Sequence, residues 1–170
     1  RPAAPPGLLV EEVVALGRLR LPHDPAAIER AMRNVGVWER RLERVETLSE
    51  GQRHRVAIAR ALAQCHADTR LLVVDEPTAA LDPAWGVRLG EILRERVRAG
   101  LAVLMATHDL AFAASTADQV LLLDHGSLVS AGPTAASLAA PAVTSLFGTP
   151  FVTMKADGVA PFPSPRHANR

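Results

Sequence analysis

The 170-residue chain has no tyrosine, one cysteine and one lysine, and aromatic residues make up only 4% of it. A lone cysteine, Cys65, excludes an internal disulfide framework. No apolar run approaches the roughly 18–20 residues that a membrane-spanning helix needs. No basic stretch followed by an apolar core opens the chain, so nothing reads as a secretory signal. A net charge of +1 gives no reason to expect nucleic acid or a membrane surface as a partner. The expected setting is soluble and reducing. With 48% hydrophobic residues the chain is not wholly disordered. A chain of this size buries roughly 70% of its unfolded surface, enough for one core.

Residues 1–7 form a Pro/Ala-rich lead-in, and no repeat appears at solenoid or propeller periods. Leu9, Val13, Val14 and Leu16 predict a short helix ending near Gly17. Asp24-Pro25 is an N-cap and first-turn pair, with Ile28, Ala31, Met32 and Val35 at helical spacing and Gly36 as the stop. The first third is thus expected to be helical, without strands. Ser49 and Gln52 have capping-box spacing and open a helix through Val56, Ala59 and Ala63. Leu71–Val74 is a short uninterrupted apolar run, the pattern of a strand covered on both faces. Asp82-Pro83 starts another helix with Leu89, Ile92, Leu93 and Val97 inward, and a second buried strand follows over 101–106. A helix over about 109–116 and strand-like runs over 120–123 and around Leu128-Val129 flank a turn at 124–127. Strands alternating with helices predict an α/β layer with parallel pairing behind a helical subdomain. Short helical turns then lead to Phe147-Gly148. A hairpin over 151–162 turning at Asp157-Gly158 and a frayed tail over 163–170 complete the expectation.

Three short elements carry chemistry. The helix opened by Ser49 presents unpaired backbone N–H groups and a positive dipole end, suited to phosphate; Ser49 adds a hydroxyl and Gly51 permits close approach. The same residues also read as an ordinary capping box, and Arg53, His54, Arg55 and Arg60 as a solvated helix face. Asp75-Glu76 closes the first apolar strand, at the sheet edge where α/β ligands bind. There Asp75 can hold Mg²⁺ and Glu76 can polarise an attacking water. Asp82 taken alone is an N-cap. Ala106-Thr107-His108-Asp109 follows the second strand and puts His108 on that edge, where it can donate to a phosphate. The other histidines have no comparable context.

In this order the elements resemble the nucleotide-binding subunit of ATP-binding-cassette (ABC) transporters. Residues 48–52 resemble the family signature, 71–76 the Walker B strand, 80–82 the D-loop and His108 the switch histidine. More loosely, residues 10–18, Pro22-His23 and the segments 24–36 and 131–161 are similar to the subgroup importing iron chelates, haem or cobalamin. The resemblance implies part of a P-loop NTPase fold. A helical, signature-bearing subdomain would occupy 1–50, the C-terminal part of a mostly parallel sheet flanked by helices 51–148, and a hairpin and tail 149–170. It also implies roles for single residues: Asp75 for Mg²⁺, Glu76 for the attacking water and His108 for the γ-phosphate of ATP. Ser49, Gly51 and Gln52 would touch ATP held by a facing subunit, and Asp82 would couple the two. The implied partners are a second ATPase subunit, transmembrane permease subunits and, indirectly, a substrate-binding protein, with the chain on the cytoplasmic face of the cell membrane. A non-catalytic partner subunit and a non-transport ABC ATPase are the rival readings.

Two family elements are missing from the sequence. No Gly-x-x-x-x-Gly-Lys-Ser/Thr loop is present, the only lysine being Lys155, and no glutamine loop is recognisable before Leu8. The absence of tyrosine also removes the usual adenine-stacking residue. The expectation is an N-terminally incomplete subunit, inactive alone. Glu50, where glycine is commoner, places a carboxylate in the signature.

Overall fold

The computed structural model describes residues 7–156 and 159–166. Its residue contacts fall into two units, Arg1–Ala106 and Thr107–Arg170.

The N-terminal part of the first unit is built on three helices. Val10–Ala15 (α1) runs into a 3₁₀ turn over Leu16–Arg18, and Pro25–Asn34 (α2) starts where Asp24 accepts a hydrogen bond from the Ala27 amide at 2.9 Å. Both pack on Glu50–Ala63 (α3). Val10, Val14, Met32, Val35 and Val56 are almost wholly buried there, so the 3.6-residue pattern read along the sequence is the packing face. Gly17 is the point of closest approach: a Cβ built on it would lie 2.4 Å from the Arg60 carbonyl oxygen. Arg18, also buried, donates to the carbonyls of Ala63 and Pro22 at 2.8 and 3.1 Å. Among the described residues, the helical first third carries one strand-like contact, an isolated bridge between Leu9 and Arg44.

Leu71–Asp75 (β1) then pairs in parallel with Ala102–Ala106 (β2), in register from Leu71 opposite Ala102 to Asp75 opposite Ala106. Pro83–Arg98 (α4) forms the crossover between them and packs on β2. Leu89, Gly90, Ile92 and Leu93 are its buried residues. Two expectations are corrected here. Val97 is 41% exposed, having turned off the buried face. The strands are covered on one face only: Leu72 is buried, but Leu71, Val73 and Leu104 are 51%, 62% and 52% exposed, because side chains alternate between faces.

In the second unit, Asp109 caps Leu110–Thr116 (α5) by accepting from the Phe112 amide at 2.9 Å. Gln119–Asp124 (β3) and Ser127–Pro133 (β4) form an antiparallel hairpin turning at His125-Gly126, both with positive φ, as a two-residue turn requires. Thr134–Ser137 (α6) and Ala140–Phe147 (α7) follow, the latter ended by left-handed Gly148. Phe151–Ala156 (β5) pairs antiparallel with Val159–Pro165 (β6). The expected hairpin is therefore present, though its turn residues Asp157 and Gly158 lie outside the described residues. The expected tail is corrected in part: Pro163–Pro165 belongs to β6, and 167–170 lies outside the described residues. Ala113, Leu122, Leu138 and Val143 make this unit's core, with Phe151 and Phe162 against it.

Candidate functional site

The start of α3 is built as the capping box requires. Ser49 takes extended backbone angles; its Oγ accepts from the Gln52 amide at 3.3 Å, and its own amide donates to Gln52 Oε1 at 2.9 Å. The Gln52 carbonyl therefore faces Ser49, and the side-chain NH₂ donors face away from it. Ser49 Oγ acts as acceptor there and keeps its hydroxyl proton to donate. The amides of Glu50 and Gly51 have no helical carbonyl behind them. Ser49 and Glu50 are exposed, so the helix end is open to solvent. Glu50 places negative charge in the first turn, where it complements the helix dipole.

Asp75 is the last residue of β1 and exposed, and Glu76, half-buried, follows it. The Glu76 amide donates to the Ala106 carbonyl at 2.8 Å, continuing the ladder one residue past the strand. Its φ is +47°, left-handed backbone that non-glycine residues seldom adopt and that clusters at functional sites. The chain then turns through hydrogen bonds from the Ala79 amide to the Glu76 carbonyl and from the Leu81 amide to the Thr78 carbonyl. Ala80, again left-handed at φ +61°, leads into Asp82, which caps α4 by accepting from the Trp85 amide at 3.0 Å.

The 76–82 turn is fastened to α3. The His54 ring nitrogen Nε2 lies 2.8 Å from the Pro77 carbonyl, and His54 is buried. Arg55 Nη2 donates to Asp82 Oδ2 at 3.3 Å, and its guanidinium stacks 3.8 Å from the Trp85 ring centroid. Burial pushes the Arg55 pKa down, and the Asp82 charge acts in the opposite direction. Gly51 faces the Ala80 carbonyl so closely that a Cβ would sit 2.8 Å from its oxygen. The expectation of a solvated face holds for Arg53 and is corrected for His54 and Arg55. The signal was present in the spacing: residues 51, 54, 55 and 58 are i, i+3, i+4 and i+7 on one helix face.

Thus Ser49, Gly51 and Gln52 lie together at one helix start, and Gly51 and Asp82 meet the same turn that begins at Glu76. His108, exposed, stands two residues beyond β2 in the second unit. Among the described residues no group of three or more His, Cys, Asp and Glu side chains forms a metal cage. Magnesium does not need one, being held by one or two carboxylates with phosphate oxygens and waters; Asp75 is an exposed carboxylate at the end of β1.

Comparison with known proteins gives the site its context. Residues 4–79 match the family model described as ABC transporter. A hemin import ATP-binding protein of Streptomyces coelicolor is 40% identical over 163 residues, 92% of this chain and 54% of the relative. The chain belongs to the ABC transporter family. An arginine transport ATP-binding protein of Bacillus subtilis is 41% identical over 63% of this chain and 45% of its own length. The chain spans about half the length of these curated relatives. A metal-chelate-type ABC transporter solved in an inward-facing conformation superposes with a TM-score of 0.84, covering 98% of this chain and 70% of that one. At 24% identity that likeness speaks for the fold, which is that of the ABC-type P-loop NTPases. Among the described residues no helix is long and apolar enough to cross a membrane.

Proposed function

We propose that the chain is part of the ATP-hydrolysing subunit of an importer for an iron-siderophore, haem or cobalamin. The observation that carries the reading is the open start of α3, fastened to the turn that follows the Asp75-Glu76 pair. Relatives named for hemin import match most of the chain, and one solved relative is of metal-chelate type.

In this reading the Ser49 hydroxyl, the Gln52 amide and the Glu50 and Gly51 N–H groups donate to a triphosphate that a facing ATPase subunit holds. Glu76 accepts a proton from the attacking water, and His108 donates to the γ-phosphate. Asp75 would hold Mg²⁺, which neutralises phosphate charge when bound. Asp82 lies where the two subunits would meet. The segments 1–50, 51–148 and 149–170 serve as signature-bearing subdomain, sheet portion and C-terminal hairpin. Permease subunits anchor the assembly to the cytoplasmic membrane face, and a substrate-binding protein acts through them. Without a phosphate-cradling loop the chain alone neither binds ATP tightly nor turns it over.

Uptake assays test the reading in cells whose native protein carries Glu76→Gln. Loss of uptake of iron-siderophore, haem or cobalamin, with arginine uptake intact, is expected. Lost arginine uptake instead would assign the chain to amino-acid import, and unchanged uptake of all four would overturn a catalytic role for Glu76.

A further inference from the structure

We infer that Arg55 and Trp85 are positioning residues that make the start of α3 and the turn behind Glu76 one mechanical piece. The inference rests on the reading above for its meaning in catalysis, but its geometry stands on its own. Arg55 lies one helical turn beyond Gly51, and its side chain is only 20% exposed. Its guanidinium lies between two groups of the opposite element: the Asp82 carboxylate at 3.3 Å and the Trp85 ring at 3.8 Å. Its Nε is buried without a hydrogen-bond partner among the described residues, so the group is held by stacking and one ion pair rather than by a full set of donors. Asp82 is fixed in turn, because its other carboxylate oxygen caps α4 at the Trp85 amide. At its Cζ2–Cη2 edge Trp85 meets Gly36, just past α2, where a Cβ would lie 2.9 Å from those carbons. One indole thus bridges α4, α3 and the end of α2.

Two further fastenings act on the same turn: His54 on the Pro77 carbonyl, and the close approach of Gly51 to the Ala80 carbonyl. A displacement at the phosphate-facing end of α3 is therefore carried to the residues that directly follow Glu76. Without Arg55 the charged, stacked tie between α3 and the cap of α4 is gone, and the two ends are expected to move independently.

Trp38 and Trp85 are the chain's two tryptophans, so Trp38→Phe leaves Trp85 as sole reporter in the 170-residue chain. In that background Arg55→Ala should raise the acrylamide quenching constant of Trp85 about two- to threefold and shift its emission to the red. Arg55→Lys, which keeps the charge, should recover part of both. Gly51→Ala, which pushes on Ala80, should raise quenching with Arg55 present and have little effect once Arg55 is alanine. Gly86→Ala, on α4 with nothing within 4 Å of the added Cβ, is the control and should not transmit. Circular dichroism checks that each variant keeps its helices, and if the alanine variant unfolds the lysine variant carries the comparison. Quenching indifferent to Arg55, or a Gly51 effect of equal size with and without Arg55, would overturn the inference. Neither result requires nucleotide, so failure here is separable from failure of the transport reading.

Discussion

Gly51→Ala separates two reasons for a glycine at that place. The new Cβ would lie 2.8 Å from the Ala80 carbonyl oxygen, a backbone atom that cannot rotate aside. An ordinary contact needs about 3.4 Å or more, so the turn or the helix must shift by roughly half an ångström. Overpacking of this kind costs about 1–3 kcal/mol. Helix propensity offsets at most about 1 kcal/mol, less in the first turn. The net expectation is a loss of about 1 kcal/mol. At Gly86, also helical but facing open space, the same substitution should gain up to about 1 kcal/mol. At about 2–4 °C per kcal/mol for a chain near this size, the melting temperatures should differ by roughly 4–8 °C. Thermal unfolding followed by circular dichroism, without nucleotide, measures this. If Gly51→Ala melts with Gly86→Ala, the glycine is not required by packing on Ala80, and the fastening of α3 to the turn is refuted.

Other outcomes follow from single residues. Gly36, at φ +66° with Trp85 beside it, should tolerate alanine poorly, losing about 1–2 kcal/mol in a denaturant melt from the left-handed backbone alone. The Ala27 amide is the largest of the effects that hold the Asp24 carboxyl below its ordinary pKa, with smaller help from Arg18 and Arg30. A depressed pKa stabilises above the ordinary value near pH 4 and is lost as pH falls through the lowered one. Asp24→Asn, which still caps, should therefore melt with a shallower loss of stability on acidification below pH 4; an unchanged slope would contradict this. Burial pushes the Cys65 thiol up, so its iodoacetamide rate at pH 8 should fall below that of a free thiol and keep rising beyond pH 9.

Helix starts were the most legible part of the sequence, because caps are local chemistry. Asp24, Ser49 and Asp82 all accept the expected amide. Periodicity also located the buried face of α2 and most of α4. Pairing direction was read for β1 and β2, whose connection is a helix, and the tight His125-Gly126 turn made β3 and β4 antiparallel. Exposure was not legible for Leu71, Val73 and Leu104, since an apolar run records composition and not what packs on it. The left-handed backbone of Glu76 and Ala80 left no trace, both being residue types without a preference for it. The roles of His54 and Arg55 were hidden by their charge: Arg, His and Arg in a row suggest a wet surface, although two of the three share a face with Gly51. The role of Trp85 is not legible in the sequence because its partners come from distant segments, Arg55 on α3 and Gly36 beyond α2.

The proposal that the helix end and acid pair of this chain act on nucleotide which these 170 residues do not themselves cradle is tested most directly by ATP hydrolysis of the purified 170-residue protein with Mg²⁺. The account predicts no turnover above background and no difference between the native sequence and Glu76→Gln. Turnover that Glu76→Gln lowers by about 100-fold, within the range a general base supplies, would show that the chain holds its own nucleotide and would contradict it.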